Sequence, residues 1–286
     1  NVLDLINSDI RLHSFKLGEQ FQSASPFPHM VLDNFFDDNF AEKLLEHFPV
    51  FDTSKATNEL GLVGKKAVNT KIAGLNQPYK ELDELFQSSD FLMFMSTITG
   101  IPELLYDPEY IGGGTHENLE GQDLDPHVDF NYHPGTKWHR RLNLLIYLNN
   151  EWNESWGGNI ELHSDPWNPD QNQFQSFMPL MNRCVIFETS EKSWHGFKKI
   201  QFPENKKNFS RKSIAVYFYT KNRPLSEIRP EHSTFYVPRP IPDHIQAGYT
   251  LKEDDVQQLK DLLTRRDHWI QFLYQRELHF SSGFGL

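Results

Sequence analysis

The sequence predicts a mainly β fold with flanking helices, built as a sandwich or barrel of short strands. Three observations lead there. From Glu109 to Thr220 apolar residues recur with a period of two, clusters of Gly, Pro, Asn and Asp separate the runs, and the segments on either side carry helical spacing instead. At 286 residues the chain is long enough for one large β-rich domain with appended elements. Composition shifts after Pro224, which divides the expected organisation into a main domain at 1–224 and a Pro-rich strap with a C-terminal helix at 225–286.

The elements follow in chain order. Asp37 and Asp38 can cap a helix whose Phe40, Leu44, Leu45 and Phe48 share a face before Pro49 stops it. Leu82, Leu85 and Phe86 mark a second helix, and Phe91, Phe94, Met95 and Ile98 a third that Gly100 ends. All three read as helices covering a sheet. Strands are expected at 109–112, 126–130, 141–148, 158–163, 183–188 and 211–220. In 141–148 the even positions are all aliphatic, while Arg141, Asn143 and Tyr147 share the other face. The stretch 230–242 holds four prolines and reads as an extended strap. Thr250-x-x-Glu253 then forms a capping box for a helix with Val256, Leu259, Leu263, Ile270 and Leu273 at near-heptad spacing, broken by Arg266. That helix packs on its own domain or pairs with a partner, as a homo-oligomer or with a fused domain.

Composition excludes several function classes. With 28 Lys+Arg against 39 Asp+Glu the net charge is −11, and no basic block is present to neutralise phosphates, so nucleic acid is not an expected partner. Cys184 is the only cysteine, which removes internal disulfides and Cys-based zinc clusters and points to a reducing, cytoplasmic setting. No apolar run approaches the ~20 residues of a membrane helix, so no membrane is expected. The opening Asn1-Val2-Leu3-Asp4 has neither a basic start nor an apolar core and lacks an initiator Met, so it reads as trimmed or cut from a longer polypeptide, without a signal peptide.

Chemistry concentrates in one constellation. Non-haem iron oxygenases hold their metal with two His and one carboxylate, leaving positions open. On a strand, residues i and i+2 point the same way, so His127-Val128-Asp129 aims an imidazole and a carboxylate into one cavity. A second such triplet, His163-Ser164-Asp165, runs into Pro166-Trp167-Asn168-Pro169, a turn that would splay its side chains. His195, in Ser193-Trp194-His195-Gly196, is the best candidate for the third ligand. Arg211 and Ser213 share one face of a strand, and a buried guanidinium with a hydroxyl beside it suits a dicarboxylic co-substrate. Tyr147 offers a further donor, and Asn143, on the same face, is a weaker cofactor candidate. His116, Asn131 and Tyr110 are candidate substrate residues; the tryptophans Trp138, Trp152, Trp156 and Trp167 read as packing.

The order of these features resembles the iron(II)/2-oxoglutarate-dependent dioxygenases, in their prolyl 4-hydroxylase-like branch. The resembling residues are Tyr110-Ile111-Gly112-Gly113-Gly114, His127-Val128-Asp129-Phe130-Asn131, the run from Arg140 to Asn149, Trp156-Gly157-Gly158, Ser193-Trp194-His195-Gly196 and Arg211-Lys212-Ser213, within about two thirds of the chain. The resemblance implies a double-stranded β-helix, or jelly roll, with Fe(II) held by His127, Asp129 and His195. It implies 2-oxoglutarate chelating that metal, with its C5 carboxylate on Arg211 and contacts from Tyr147 and Ser213, and O2 as the second co-substrate. Retention of Asp129 favours hydroxylation, because related halogenases carry a small residue there.

The expected function is therefore hydroxylation of an unactivated aliphatic C–H in a small molecule or carrier-bound group, with release of succinate and CO2. Thr115 to Leu124 reads as a long loop able to close over the cavity, which favours the small substrate. A peptidyl-prolyl hydroxylase is the alternative within this class; a non-catalytic jelly-roll binding module is the alternative outside it. A cupin-type enzyme fits less well, since the compact His-x-His motif is absent and Arg211 would have no task.

Overall fold

Short polar side chains start the helices that the apolar spacing predicts. In the computed structural model, which describes residues 1–56 and 66–283, helices α1 (Ser8–Leu12) and α2 (Ser14–Ser23) precede strand β1 (His29–Leu32). The Asp37 carboxylate then accepts the backbone N–H groups of Asn39 and Phe40 and opens α3 (Asp38–Glu46), which buries Phe40, Ala41 and Leu44. After β2 (Lys66–Asn69), Asn76 caps α4 (Gln77–Gln87) and Ser88 caps α5 (Ser89–Thr99). Gly100, at φ +71°, ends α5 in the left-handed conformation.

The strands that follow are β3 (Leu105–Tyr106), β4 (Gly114–Asn118), β5 (Leu124–Val128), β6 (His139–Tyr147), β7 (Ile160–His163), β8 (Phe174–Phe177), β9 (Arg183–Glu188), β10 (Trp194–Phe197), β11 (Arg211–Thr220) and β12 (Phe235–Tyr236). They pair antiparallel in two sheets. The larger runs β1-β9-β6-β11-β4-β2, with β3 also on β11; the smaller runs β12-β5-β10-β7-β8. Two antiparallel sheets flanked by helices match the mainly β expectation.

The even-numbered aliphatics of β6 explain which face goes where. Leu142, Leu144, Ile146 and Leu148 are fully buried together with Ile214, Val216 and Phe218 of β11, in one core with Leu82, Leu85, Phe86 and Phe91 of α4 and α5. Each such side chain contributes about 1.5–3 kcal/mol by leaving water. On the opposite face Tyr147, Val185 and Phe187 pack with Ile160 and Leu162 of the smaller sheet, which leaves the remaining inward positions for chemistry.

Two segments depart from expectation. No strand forms at 109–112. The Asp107 carboxylate accepts the N–H groups of Glu109 and Ile111, both at 2.9 Å, and Tyr110 and Gly112 take φ of +48° and +76°, so a turn replaces it. Gly114 then begins β4 at φ +97°, where a Cβ would meet the Asn69 carbonyl oxygen at 1.9 Å. The stretch 115–124 is not a free loop either: β4 and β5 occupy its two ends, and His116 is fixed in register between Val68 and Ser213. Cross-strand pairing on both sides holds His116 in place, so the closing-loop argument for a small substrate lapses.

Two compact units make up the chain, Asn1–Tyr236 and Val237–Leu286, so the segment Leu225 to Tyr236 belongs to the first. In the second unit α6 (Glu253–Gly283) starts on a polar knot rather than on Thr250. Asp255 accepts the Lys252 N–H and the Tyr249 hydroxyl and faces His244 Nε2 at 2.7 Å, and these hydrogen bonds, His244's first, hold its pKa at about 2. Along α6, Val256, Leu263, Ile270 and Leu273 are exposed.

Candidate metal centre and co-substrate cavity

Strands β5 and β10 bring two distant imidazoles together. His127 and His195 are partners in the antiparallel register, with ring centroids 4.2 Å apart. Nδ1 of His127 faces the Asp125 carbonyl at 2.9 Å, and Nδ1 of His195 the Ser193 carbonyl at 2.8 Å. A carbonyl only accepts, so each Nδ1 carries the proton and each Nε2 presents a lone pair. Asp129 completes the group: its Oδ1 lies 3.6 Å from His127 Nε2 and its Oδ2 3.6 Å from His195 Nε2. One donor atom from each of the three residues falls within 4.8 Å of the others.

Charge states suit a divalent ion. Burial, with His127 alongside, takes the His195 imidazole down to about 3, so it is neutral in water near pH 7. Burial alone would raise the Asp129 carboxyl, but the Arg140 guanidinium beside it wins and holds it far below the usual range. Two imidazoles and one anionic carboxylate are the donor set of a non-haem iron(II) site.

A cavity of about 230 Å³ is lined by these three residues together with Tyr147, Arg211 and Ser213. Arg211 is 4% exposed, donates from Nε to the Gly158 carbonyl at 2.6 Å and from Nη2 to the Tyr147 hydroxyl at 3.3 Å, and lies over the rings of Phe197 and Tyr147. Among the described residues no carboxylate forms an ion pair with it. A buried guanidinium without a counter-charge is costly until an anion arrives, which is what a co-substrate carboxylate supplies. Gly158 makes the room: at φ +73°, a Cβ there would stand 2.8 Å from the Trp152 ring and 3.3 Å from Arg211 Cδ.

Of the other sequence candidates, Asn143 and His116 also line the cavity. Asn143 donates from Nδ2 to Asp129 Oδ2 at 2.8 Å, and the buried Nε2 of His116 has no hydrogen-bond partner among the described residues. Asn131 turns to the strap, donating to the Pro230 carbonyl and accepting the His232 N–H, both at 2.9 Å. Tyr110 is buried and donates to Asp83 at 2.8 Å. The tryptophans Trp152 and Trp156 pack with Phe202. Among the cavity residues that the sequence reading did not single out, three bear on the site. Tyr236 stacks on His127 at 4.9 Å through the pairing of β12 with β5, and Thr234 lies beside it; the composition shift at Pro224 had placed both outside the domain. Arg140 is the third, because strict alternation would put it on the aliphatic face. An irregularity in the β6–β11 pairing, where Leu142 opposes Phe218 and Arg140 opposes Tyr219, turns it inward.

A second group, Asp107, Glu109 and His133, also clusters. There His133 Nδ1 accepts the N–H groups of Gly135 and Thr136, both at 3.1 Å, so its proton sits on Nε2, 3.3 Å from Asp107 Oδ1. That imidazole has no lone pair to offer.

Two histidines and an aspartate around an open cavity are the arrangement that non-haem iron oxygenases use. Residues 114–219 match the model of the 2OG-Fe(II) oxygenase superfamily, whose members use iron(II), 2-oxoglutarate and O2. Prolyl 3-hydroxylase OGFOD1 of Mus musculus is 25% identical over 207 residues, covering 68% of this chain and 33% of that protein. The chain thus spans about one third of the length of that curated relative. Among solved structures, a prolyl 4-hydroxylase from Phytophthora capsici is 19% identical with a TM-score of 0.50, covering 92% of this chain and 73% of its own. A prolyl hydroxylase from Trichoplax adhaerens, solved with a hypoxia inducible factor peptide, is 15% identical with a TM-score of 0.51, covering 77% of this chain and 96% of its own. Both likenesses are of fold.

Proposed function

We propose that this protein is an iron(II)- and 2-oxoglutarate-dependent hydroxylase acting on an aliphatic C–H of a prolyl residue in a peptide or protein. The observation that carries the oxygenase reading is the triangle of His127, Asp129 and His195 on a cavity it shares with Arg211, a buried guanidinium that has no acidic partner among the described residues. Iron bound there supplies oxygen activation coupled to decarboxylation of 2-oxoglutarate to succinate. The chain's own residues do the rest. His127 and His195 offer Nε2 because the Asp125 and Ser193 carbonyls hold their protons at Nδ1. Arg211 and the Tyr147 hydroxyl receive the distal carboxylate and so orient the co-substrate. Phe197, Leu145 and Tyr236 line the cavity and limit its water.

The prolyl substrate is supported by the named activity of the curated relative and by the loss of the closing loop that favoured a small molecule. The test is anaerobic iron(II) binding followed by 2-oxoglutarate-dependent succinate release, screened with prolyl peptides, free amino acids and sugars. Stimulation by prolyl peptides is expected. Stimulation by sugars or free amino acids alone would overturn the substrate class, and normal turnover in Asp129→Ala would overturn the metal site.

A further inference from the structure

The proposed function leaves one buried charge in the cavity without a task. Arg140 is 2% exposed, and its guanidinium is surrounded with unusual completeness. Nε and Nη2 donate to Asn143 Oδ1 at 3.1 and 2.9 Å, Nη2 also reaches Asp129 Oδ2 at 3.2 Å, and the plane lies over the rings of Tyr217 at 3.6 Å and Phe130 at 4.4 Å. Asn143 returns the contact by donating its Nδ2 to the same Asp129 Oδ2 at 2.8 Å. One carboxylate oxygen thus has two donors from one rigid assembly. Both oxygens stand 3.6 Å from an imidazole Nε2, Oδ1 from that of His127 and Oδ2 from that of His195, but the Arg140 and Asn143 donors are both on Oδ2.

We propose that Arg140 is a positioning residue: with Asn143 it ties Asp129 Oδ2, so that this carboxylate meets the metal through Oδ1 alone. The inference rests on the iron reading given above. Carboxylates bind cations through one oxygen or through both. An octahedral metal held by His127, Asp129 and His195 keeps just enough open positions for a chelating 2-oxo acid and one further small ligand. A carboxylate closing through both oxygens would consume one of them. The fork geometry matters, because one planar group must reach Asn143 and Asp129 while lying under two aromatic faces, which an ammonium does not do. Arg140 also places a positive charge beside a site that receives a dianion. Against the metal itself that charge is repulsive, so its removal offsets the loss of orientation there and falls chiefly on co-substrate binding.

The experiment measures two affinities on the full chain, Mn(II) for the metal-free protein and 2-oxoglutarate for the Mn(II)-loaded protein, by calorimetry in wild type, Arg140→Met and Arg140→Lys. In Arg140→Met the affinity for 2-oxoglutarate is expected to fall by about tenfold or more while that for Mn(II) stays within about threefold, with Arg140→Lys in between. A parallel loss of both affinities, or 2-oxoglutarate binding within about threefold of wild type in the two variants, overturns the proposal. If Arg140→Met does not fold, Arg140→Lys, which keeps the charge and loses the fork, decides by the same criteria. Wild-type protein that binds no Mn(II) overturns the metal reading and the clamp with it; a wild type that binds both ligands beside unchanged variants overturns the clamp alone.

Discussion

Two histidine–carboxylate clusters lie in the same unit, built from the same residue types, and only one of them suits a metal. Around His127, Asp129 and His195 the backbone carbonyls of Asp125 and Ser193 take the Nδ1 protons and leave Nε2 open. Around His133, Asp107 and Glu109 the backbone offers N–H groups instead, from Gly135 and Thr136, and the proton is driven to Nε2, where Asp107 faces it. Which half of the peptide bond meets Nδ1 decides whether the imidazole is a ligand or a strut. Proximity of donors alone does not distinguish them.

The sharpest way to break this comparison is to remove one member of each cluster. Asp129→Ala should abolish metal-dependent succinate release but also destabilise, since it leaves the buried Arg140 guanidinium without its carboxylate. His195→Ala should reduce that release to background while changing thermal stability little, read by turnover and by calorimetric unfolding. His133→Leu should do the reverse. It leaves Asp107 and two backbone N–H groups without their buried partner, so a loss of about 3 kcal/mol is expected with metal affinity unchanged. Metal binding that falls in His133→Leu but survives in His195→Ala would reverse the assignment.

Next in size comes the guanidinium of the co-substrate cavity. Arg211→Met should raise the KM for 2-oxoglutarate by about a hundredfold, since truncating one partner of a buried charged hydrogen bond costs about 2–5 kcal/mol. Arg211→Lys should recover only part of it, because Gly158 and Tyr147 are spaced for a fork. An unchanged KM in Arg211→Met would place the distal carboxylate elsewhere.

A smaller effect follows from pH. The folded His195 titrates near 3, well below its unfolded value of about 6.5, so between those limits the unfolded chain binds a proton that the folded chain refuses. The metal-free protein should therefore lose stability as pH falls through that window, by up to roughly 1.4 kcal/mol per pH unit from this group. Asp129, depressed in the fold, adds to the loss below about pH 4. Denaturant midpoints of wild type and His195→Gln at a series of pH values check this: the slope should flatten in the variant, and an equal slope in both would contradict it.

How much of this was legible beforehand depends on local pattern. Strands 183–188 and 211–220 agree with their expected bounds, and His127 with Asp129 stood out as candidates because i and i+2 on a strand point the same way. Arg140 was hidden by a pairing irregularity and Tyr236 by a chain that returns from outside the expected boundary. The turn at Tyr110 depends on positive φ at a tyrosine, which residue type does not announce. His133 illustrates the remaining limit: its type matches a ligand, and only the backbone groups around Nδ1 separate the roles.

Strand β12 has a consequence for access. It pairs with β5 at Val128 and His127 on one side while β10 pairs with β5 on the other, so at the first histidine the strand has partners on both sides. A polypeptide cannot pair with β5 at His127 and Val128 by extending the sheet, because β12 already holds that side, and Thr234 and Tyr236 beside it line the cavity.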